Sequence, residues 1–516
     1  MVCHDRAKLD RRFVRRRYDC DGRDRTYQRA LGQALEEFKL TDGRNPNLTS
    51  TGRRAPLTET LAAFVAGFAP GSLPAPVLER TATVTRDGAA CLLAAANPAF
   101  STGRLIAGFA LDQGGTPEAS VVGHGFKTGA AMAALANGTM GYACDLEPHH
   151  PEAILHPVAI MLPTALAVGE RTGADGRHLL AAVALGCEVE YRVSMAIGPV
   201  QMYDLGFHPS AVAGCFGAAA AAAFLLGLER DAVVRALGLA ACQASGLMAW
   251  QSDPSENARP FQMGMAARNG VSAALLAAAG FGGPGAVFDH GHTVFRAFSR
   301  APRPEFLIAD FGERWDGVME LAIKPYASVS FLHPALDALL ALVHEHELCP
   351  ADILRLTLRF PRSGVHCVDG NPLKSHCAQY ILPIAVARRE VAVADLFEDR
   401  RQSDPEVAAL AKRTQVIADD ALDALFPDAY ASIIEIRTRD GRTLERRNDI
   451  ARGYPETPLG EQELMEKFRT LAGSVAARER VAALERALAG LPEASEIDTL
   501  AALLCARPDA SDPPPP

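Results

Sequence analysis

A chain of 516 residues with 48% hydrophobic and 22% charged side chains has room for about two to four domains and is too apolar for wholesale disorder. Its net charge of −9 at pH 7 offers no electrostatic footprint for nucleic acid, so no nucleic-acid partner is expected. Eleven cysteines fall singly with no Cys-x-x-Cys pair, which argues against a disulfide framework and points to a reducing, cytoplasmic setting.

Residues 1–54 read as an irregular N-terminal extension, apart from a short helical pattern around Tyr27–Phe38. The basic run Arg11–Arg17 is diluted by Asp10, Asp19, Asp21 and Asp24, which does not fit an acid-poor transit peptide. From Leu57 the apolar spacing turns helical and stays so. Helices are predicted from Thr58, over Pro76–Ala95 and 101–111, then over 127–142, 157–172, 176–196, 208–227, 230–245 and 262–279. Ala211–Leu228 is the most membrane-like stretch. Ala and Gly dominate it and Glu229-Arg230-Asp231 ends it, so it reads as a buried helix and no membrane span is expected.

After about Phe298 the pattern changes. Met319–Lys324, Leu354–Phe360 and Ala431–Thr438 read as strands, and Asp440-Gly441 signals a hairpin returning through Arg442–Arg446. Helical stretches at 334–345, 377–389 and 405–412 lie between them, and helices resume over 461–472, 476–489 and 497–504. The predicted fold is mostly α, a large all-helical domain (55–300) with an inserted smaller α+β lid domain (301–450). Residues 451–507 would return to the helical domain, and 508–516 would form a disordered tail.

Chemistry-bearing residues concentrate at four breaks between elements. The loop Asp145-Leu-Glu-Pro-His-His-Pro…His156-Pro157 packs two acids and three histidines between two apolar helices. Its prolines remove backbone donors and break any helix there. His208 precedes a long apolar helix, Arg259 stands at another helix start, and Lys324-Pro-Tyr326 follows a predicted strand. Taken singly, each has a bland reading as a cap, a solvated residue or a surface ion pair. The His149–His156 spacing matches no metal-ligand motif, and no Gly-x-Gly-x-x-Gly, Gly-x-Ser-x-Gly or P-loop occurs, so no metal and no nucleotide cofactor are expected.

Six motifs in order resemble the MmgE/PrpD family, whose members include 2-methylcitrate dehydratase, cis-aconitate decarboxylase and some epimerases of small dicarboxylates. They are Ala134–Thr139 leading into Asp145…His156-Pro157, Gly206-Phe-His-Pro209, Gln243–Trp250, Arg259–Gly264, Lys324-Pro-Tyr326, and Arg452-Gly-Tyr-Pro455 before Lys467-Phe468. The resemblance spans about residues 57–475 and implies a helical domain with an α+β lid, a homodimer, no cofactor, and a small carboxylic acid as substrate. It also implies that Asp145, His156, His208 and Tyr326 are catalytic, and that Arg259, Lys324, His149 and Gln262 contact substrate. In those implied roles His156 is the base, Asp145 orients or charge-tunes it, and Tyr326 is an acid delivered by the lid. Two positions depart from the family pattern. Arg259 and Gln262 stand where dehydratase- and decarboxylase-type members carry Lys and His, and Glu147-Pro148-His149 stands in place of an Asp-Asp-Thr run.

The expected activity is therefore a cofactor-independent lyase acting by proton transfer next to a carboxylate. A racemase or epimerase on the same fold, and a carboxylate-binding member without turnover, are the alternatives.

Overall fold

The computed structural model describes residues 56–397, 399–425 and 429–509. The predicted N-terminal extension and its Tyr27–Phe38 helix lie outside the described residues. Helices of seven or more residues are numbered. The first part holds α1 (Leu57–Gly67), α2 (Ala75–Ala94), α3 (Ser101–Gln113), α4 (Ala130–Ala143), α5 (Val158–Thr172), α6 (Gly176–Ile197), α7 (Pro209–Leu225), α8 (Arg230–Ala241) and α9 (Ala258–Ala278). The fold is mostly α with a smaller α+β portion, as the periodicity predicts.

The core of the helical part is α9 lying against α4 and α7, with α6 packed on the far side of α7. Small residues make this possible. A Cβ on Gly264 would stand 2.3 Å from the Leu135 carbonyl oxygen, and one on Gly138 would stand 2.9 Å from the Gly264 Cα. The α4 and α9 backbones therefore touch, and this contact fixes the C-terminal end of α4 relative to the first turn of α9. The alanine-rich α7 is buried from Pro209 through Ala223, and among the described residues no helix is long and apolar enough to cross a membrane.

The α+β portion contains α10 (His333–Glu345), β3 (Ile353–Pro361), α11 (Ala378–Arg388), α12 (Pro405–Ala411), β4 (Thr414–Asp419), β5 (Ser432–Thr438) and β6 (Thr443–Asn448). Its sheet runs β4-β3-β5-β6, with β3 parallel to β4 and antiparallel to β5. Gly441 at φ +91° makes the expected turn between β5 and β6. The last helices α13 (Glu461–Gly473), α14 (Arg478–Ala489) and α15 (Asp498–Cys505) pack back on the helical part. There α13 lies against α2, and Gly123 and Gly125 donate to the Leu504 and Cys505 carbonyls of α15.

Three expectations need correction, and one strand of the α+β sheet was missed. Met319–Lys324 is not a sheet strand. Ala322 makes one antiparallel bridge to His149 and Ile323 donates to Gly453, so its apolar side chains bury an extended link between two loops, with no ladder. Lys127 and Thr128, expected at the start of a helix, belong to the second strand of the hairpin β1 (Ala119–Val121) and β2 (Phe126–Thr128). Strand β4 escaped notice because its short run Thr-Gln-Val-Ile-Ala-Asp has half its faces polar. Asp509, assigned to the tail, is tied down: its N–H donates to Val475 and its carboxylate accepts from the Ala477 N–H.

Candidate active site

The C-terminal end of α4 sets the site's geometry. Asp145 lies just past α4 at φ +48°, a left-handed conformation that a short polar side chain tolerates better than most. The chain then crosses Pro148 and Pro151, pairs His150 with Leu155 in a one-residue bridge, and enters α5 after Pro157. Two braces hold the loop. The His156 N–H donates to Ser210 Oγ on α7 (2.9 Å), and Lys467 on α13 donates to the Leu146 carbonyl (3.0 Å) while paired with buried Asp87 (2.7 Å).

Asp145 is the electrostatic centre. Lys324 Nζ lies 2.6 Å from its Oδ1 and Arg259 Nη1 lies 3.0 Å from its Oδ2. Burial alone would raise the Asp145 carboxyl, but the Arg259 and Lys324 charges reverse that and hold it well below the usual carboxylate range. Arg259 stands in the first turn of α9, with its guanidinium carbon 4.6 Å from the Tyr142 ring centre and 5.1 Å from that of Trp250. Its Nε is buried without a hydrogen-bond partner.

Around this centre is a cavity of about 220 Å³, lined from the helical part by Asp145, His149, His156, His208, Trp250 and Arg259, and from the α+β side by Lys324 and His376. The His156 and His208 ring centres are 6.2 Å apart, and those of His149 and His156 are 6.0 Å apart. Burial, reinforced by Lys324 and Arg259, holds His156 well below the usual imidazole range. His208 is lowered by burial and Arg259, and His149 by burial and Lys324. Burial and Arg259 lower His376 to about 3. The site therefore pairs fixed cations with neutral imidazoles. Both ring nitrogens of His149, Nδ1 of His208 and Nε1 of Trp250 are buried without partners.

Six of the eight residues singled out in the sequence line this cavity: Asp145, His149, His156, His208, Arg259 and Lys324. Two do not. Tyr326 faces a separate cavity and donates to Asp337 at 2.6 Å, because the turn after Pro325 carries its ring to the other side of the Lys324 link. Gln262 donates to the Leu247 carbonyl (2.7 Å), which ties the Trp250 loop to α9.

Sequence reasoning passed over His376, and it named Glu147 among the loop's acids without giving it a role. His376 is a lone histidine in a 3₁₀ turn and carries no local signal. Glu147 is fully buried, with Oε1 2.6 Å from His156 Nδ1 and 3.6 Å from Lys324 Nζ. Its one available signal was its place two residues after Asp145. Among the described residues no group of three or more His, Cys, Asp or Glu side chains is set to hold a metal ion.

Comparison with known proteins gives a consistent picture. Residues 59–307 match the MmgE/PrpD N-terminal domain and residues 326–490 match the MmgE/PrpD C-terminal domain. A cis-aconitate decarboxylase of Aspergillus terreus is 28% identical, the match covering 87% of this chain and 96% of that protein. A cis-aconitate decarboxylase-like protein of Aspergillus oryzae is 30% identical over 87% of this chain and 97% of its own. The Homo sapiens cis-aconitate decarboxylase is 29% identical over 72% and 79%.

Proposed function

The chain belongs to the MmgE/PrpD family, and on that premise we propose that it is a cofactor-independent lyase that decarboxylates or dehydrates a small di- or tricarboxylic acid. The observation that carries this reading is the buried Arg259–Asp145–Lys324 cluster in a cavity walled by neutral imidazoles. Two cations share one ionised carboxylate, so positive charge beyond what Asp145 neutralises is left for a carboxylate ligand in a low-dielectric site. The relatives named cis-aconitate decarboxylase support the same substrate class.

The two reaction types share a carbanion beside a carboxylate. In decarboxylation the bond to the departing carboxyl carbon breaks and its electron pair stays on the skeleton. Carbon dioxide leaves and a proton is delivered to carbon. In dehydration a base takes the C–H proton next to a carboxylate, and the hydroxyl leaves with a proton. In either case Arg259 and Lys324 hold carboxylates and stabilise the developing negative charge. His156 carries the proton, since its neutral imidazole offers a lone pair, and burial with Lys324 and Arg259 makes it quick to pass that proton on.

His156 and His208, with ring centres 6.2 Å apart, also support the epimerase alternative, which needs two proton carriers on opposite faces of one carbon. Chelator-treated protein incubated with cis-aconitate, citrate or 2-methylcitrate should form a new acid by mass spectrometry. His156→Ala should lower kcat by about 10²–10⁴-fold. Deuterium incorporation from solvent without elimination would select the epimerase, and binding of all three acids without product would leave a non-catalytic binder. Full activity in His156→Ala would sink the role given to His156.

A further inference from the structure

The acid in contact with His156 is Glu147 and not Asp145. Both Asp145 oxygens are engaged, Oδ1 by Lys324 and Oδ2 by Arg259. Glu147 Oε1 stands 2.6 Å from His156 Nδ1, while its Oε2 is buried without a partner. The Tyr142 ring meets the His156 ring edge-on at 4.6 Å, and the His156 backbone N–H is held by Ser210, so the imidazole has little freedom to turn. With Nδ1 committed to Glu147, Nε2 is the ring nitrogen left for a substrate.

We propose that Glu147, acting through His156, sets which ring nitrogen carries the proton, making His156 a base when Glu147 is ionised and an acid when Glu147 is protonated. This rests on the lyase reading above. When Glu147 is ionised it accepts from Nδ1–H, and Nε2 presents a lone pair. A proton taken from substrate carbon by Nε2 is then matched by transfer of the Nδ1 proton to Glu147 Oε1. The result is neutral imidazole with Nε2–H and a neutral carboxylic acid. Running the same two transfers backwards delivers a proton to a carbanion. No cofactor or oxidant enters, and one proton crosses the pair in each direction.

The surroundings favour this over a stored imidazolium. The charged or titratable groups around the pair are Lys324, Arg259, Asp145, His149, His208, His376 and Tyr142, with Cys91, Cys144 and the Asp87–Lys467 pair behind the loop. Lys324 and Arg259 oppose a positive charge on His156. Burial, partly offset by Lys324, pushes the Glu147 carboxyl up to about 7. A triad aspartate stays ionised throughout its cycle and only orients its histidine. Glu147 differs because it stands two residues from a second carboxylate that is ionised, and because its Oε2 is buried with no donor to hold a negative charge.

The test compares wild type, Glu147→Gln and Glu147→Asp in the full-length protein, with cis-aconitate as probe and His156→Ala as the control. Glu147→Gln should lose about 10²–10⁴-fold in kcat with a much smaller change in KM, and should lose the limb of the pH–rate profile near 7. Glu147→Asp keeps the carboxylic acid and should recover about tenfold or more of that loss together with the limb. NMR of isotope-labelled histidine in the resting enzyme reads the tautomer without turnover. His156 should pass from Nδ1–H to Nε2–H as the pH falls through about 7 in wild type, and should hold one tautomer in Glu147→Gln. An unchanged pH limb or the same tautomer change in Glu147→Gln would overturn the proposal. Wild type that shows the tautomer change but forms no product would overturn the lyase reading and leave the Glu147–His156 coupling standing.

Discussion

Asp145→Asn removes the one charge that both cavity cations share. The amide keeps the size of the carboxylate but leaves Lys324 and Arg259 facing a neutral group. Leaving buried charge uncompensated costs about 3–5 kcal/mol. The lower end applies here, because Lys324 retains the Asp145 main-chain carbonyl at 3.1 Å and Glu147 at 3.6 Å. With a urea dependence near the upper range of about 3 kcal/mol per molar, a loss of about 3 kcal/mol moves the unfolding midpoint down by about 1 M. The same change should make the cavity a stronger anion site. At one fixed citrate concentration, about a hundred times the variant's dissociation constant, binding returns about 2.7 kcal/mol to the variant and less to the wild type. Urea titrations with and without citrate, followed by circular dichroism, measure both effects. A variant with the wild-type midpoint, or equal stabilisation of both proteins by citrate, would refute the placing of Asp145 as the common partner of Arg259 and Lys324.

Two further outcomes follow from the same geometry. Arg259→Lys keeps the charge but loses the plane stacked on Tyr142 and Trp250 and the fork that can bond two oxygens at once, so kcat/KM for cis-aconitate should fall by roughly 10–150-fold, the worth of one charged hydrogen bond of about 1.5–3 kcal/mol; an unchanged kcat/KM would show that the guanidinium does not grip substrate. Stability should fall as the pH drops below about 6.5 and fall more steeply below about pH 4.5, since burial holds His149, His156 and His208 low as well. Burial holds His150, His333 and His376 at about 4, 3 and 3, below their unfolded value, so their contribution is complete above about pH 6.5 and is lost as the pH falls toward those values, at about 4 kcal/mol per pH unit for the three together. Glu147 and Glu188, raised to about 7 by burial, act with the opposite sign, losing stability as the pH rises through 7, and so offset the histidines only down to the ordinary glutamate range. Thermal midpoints measured across buffers check this, and a flat profile to pH 3.5 would contradict it.

The helical half was legible because its elements announce themselves locally. The Ala/Gly runs of α4, α7 and α9 are long, bounded by Gly or Pro, and of a composition that allows axes to touch. Gly138 against Gly264 is that expectation made concrete. The errors fell where local pattern and tertiary use diverge. Met319–Lys324 has strand composition because Leu321, Ala322 and Ile323 are buried, yet its neighbours are two loops that each offer one residue. In β4, pairing with β3 supplies what six mixed residues do not signal alone.

The site followed the same division. Residue types and their positions at helix breaks were readable, so six named residues converge on one cavity. Their partners were not readable. Asp145 and His156 lie in one loop and invite pairing, but Asp145 is taken by residues 114 and 179 positions away, and that frees the histidine for the acid two residues on. The change from Lys to Arg at 259 can be argued from this arrangement. Lys324 already supplies a compact ammonium at Oδ1, so a second ammonium at Oδ2 would add charge without direction. A guanidinium bonds Asp145 through Nη1 and lies against two aromatic rings, which fixes the direction of its remaining donors. On the proposed reading, the charge at this position both anchors Asp145 and receives a carboxylate, while proton movement belongs to Glu147 and His156, which an always-charged arginine could not supply.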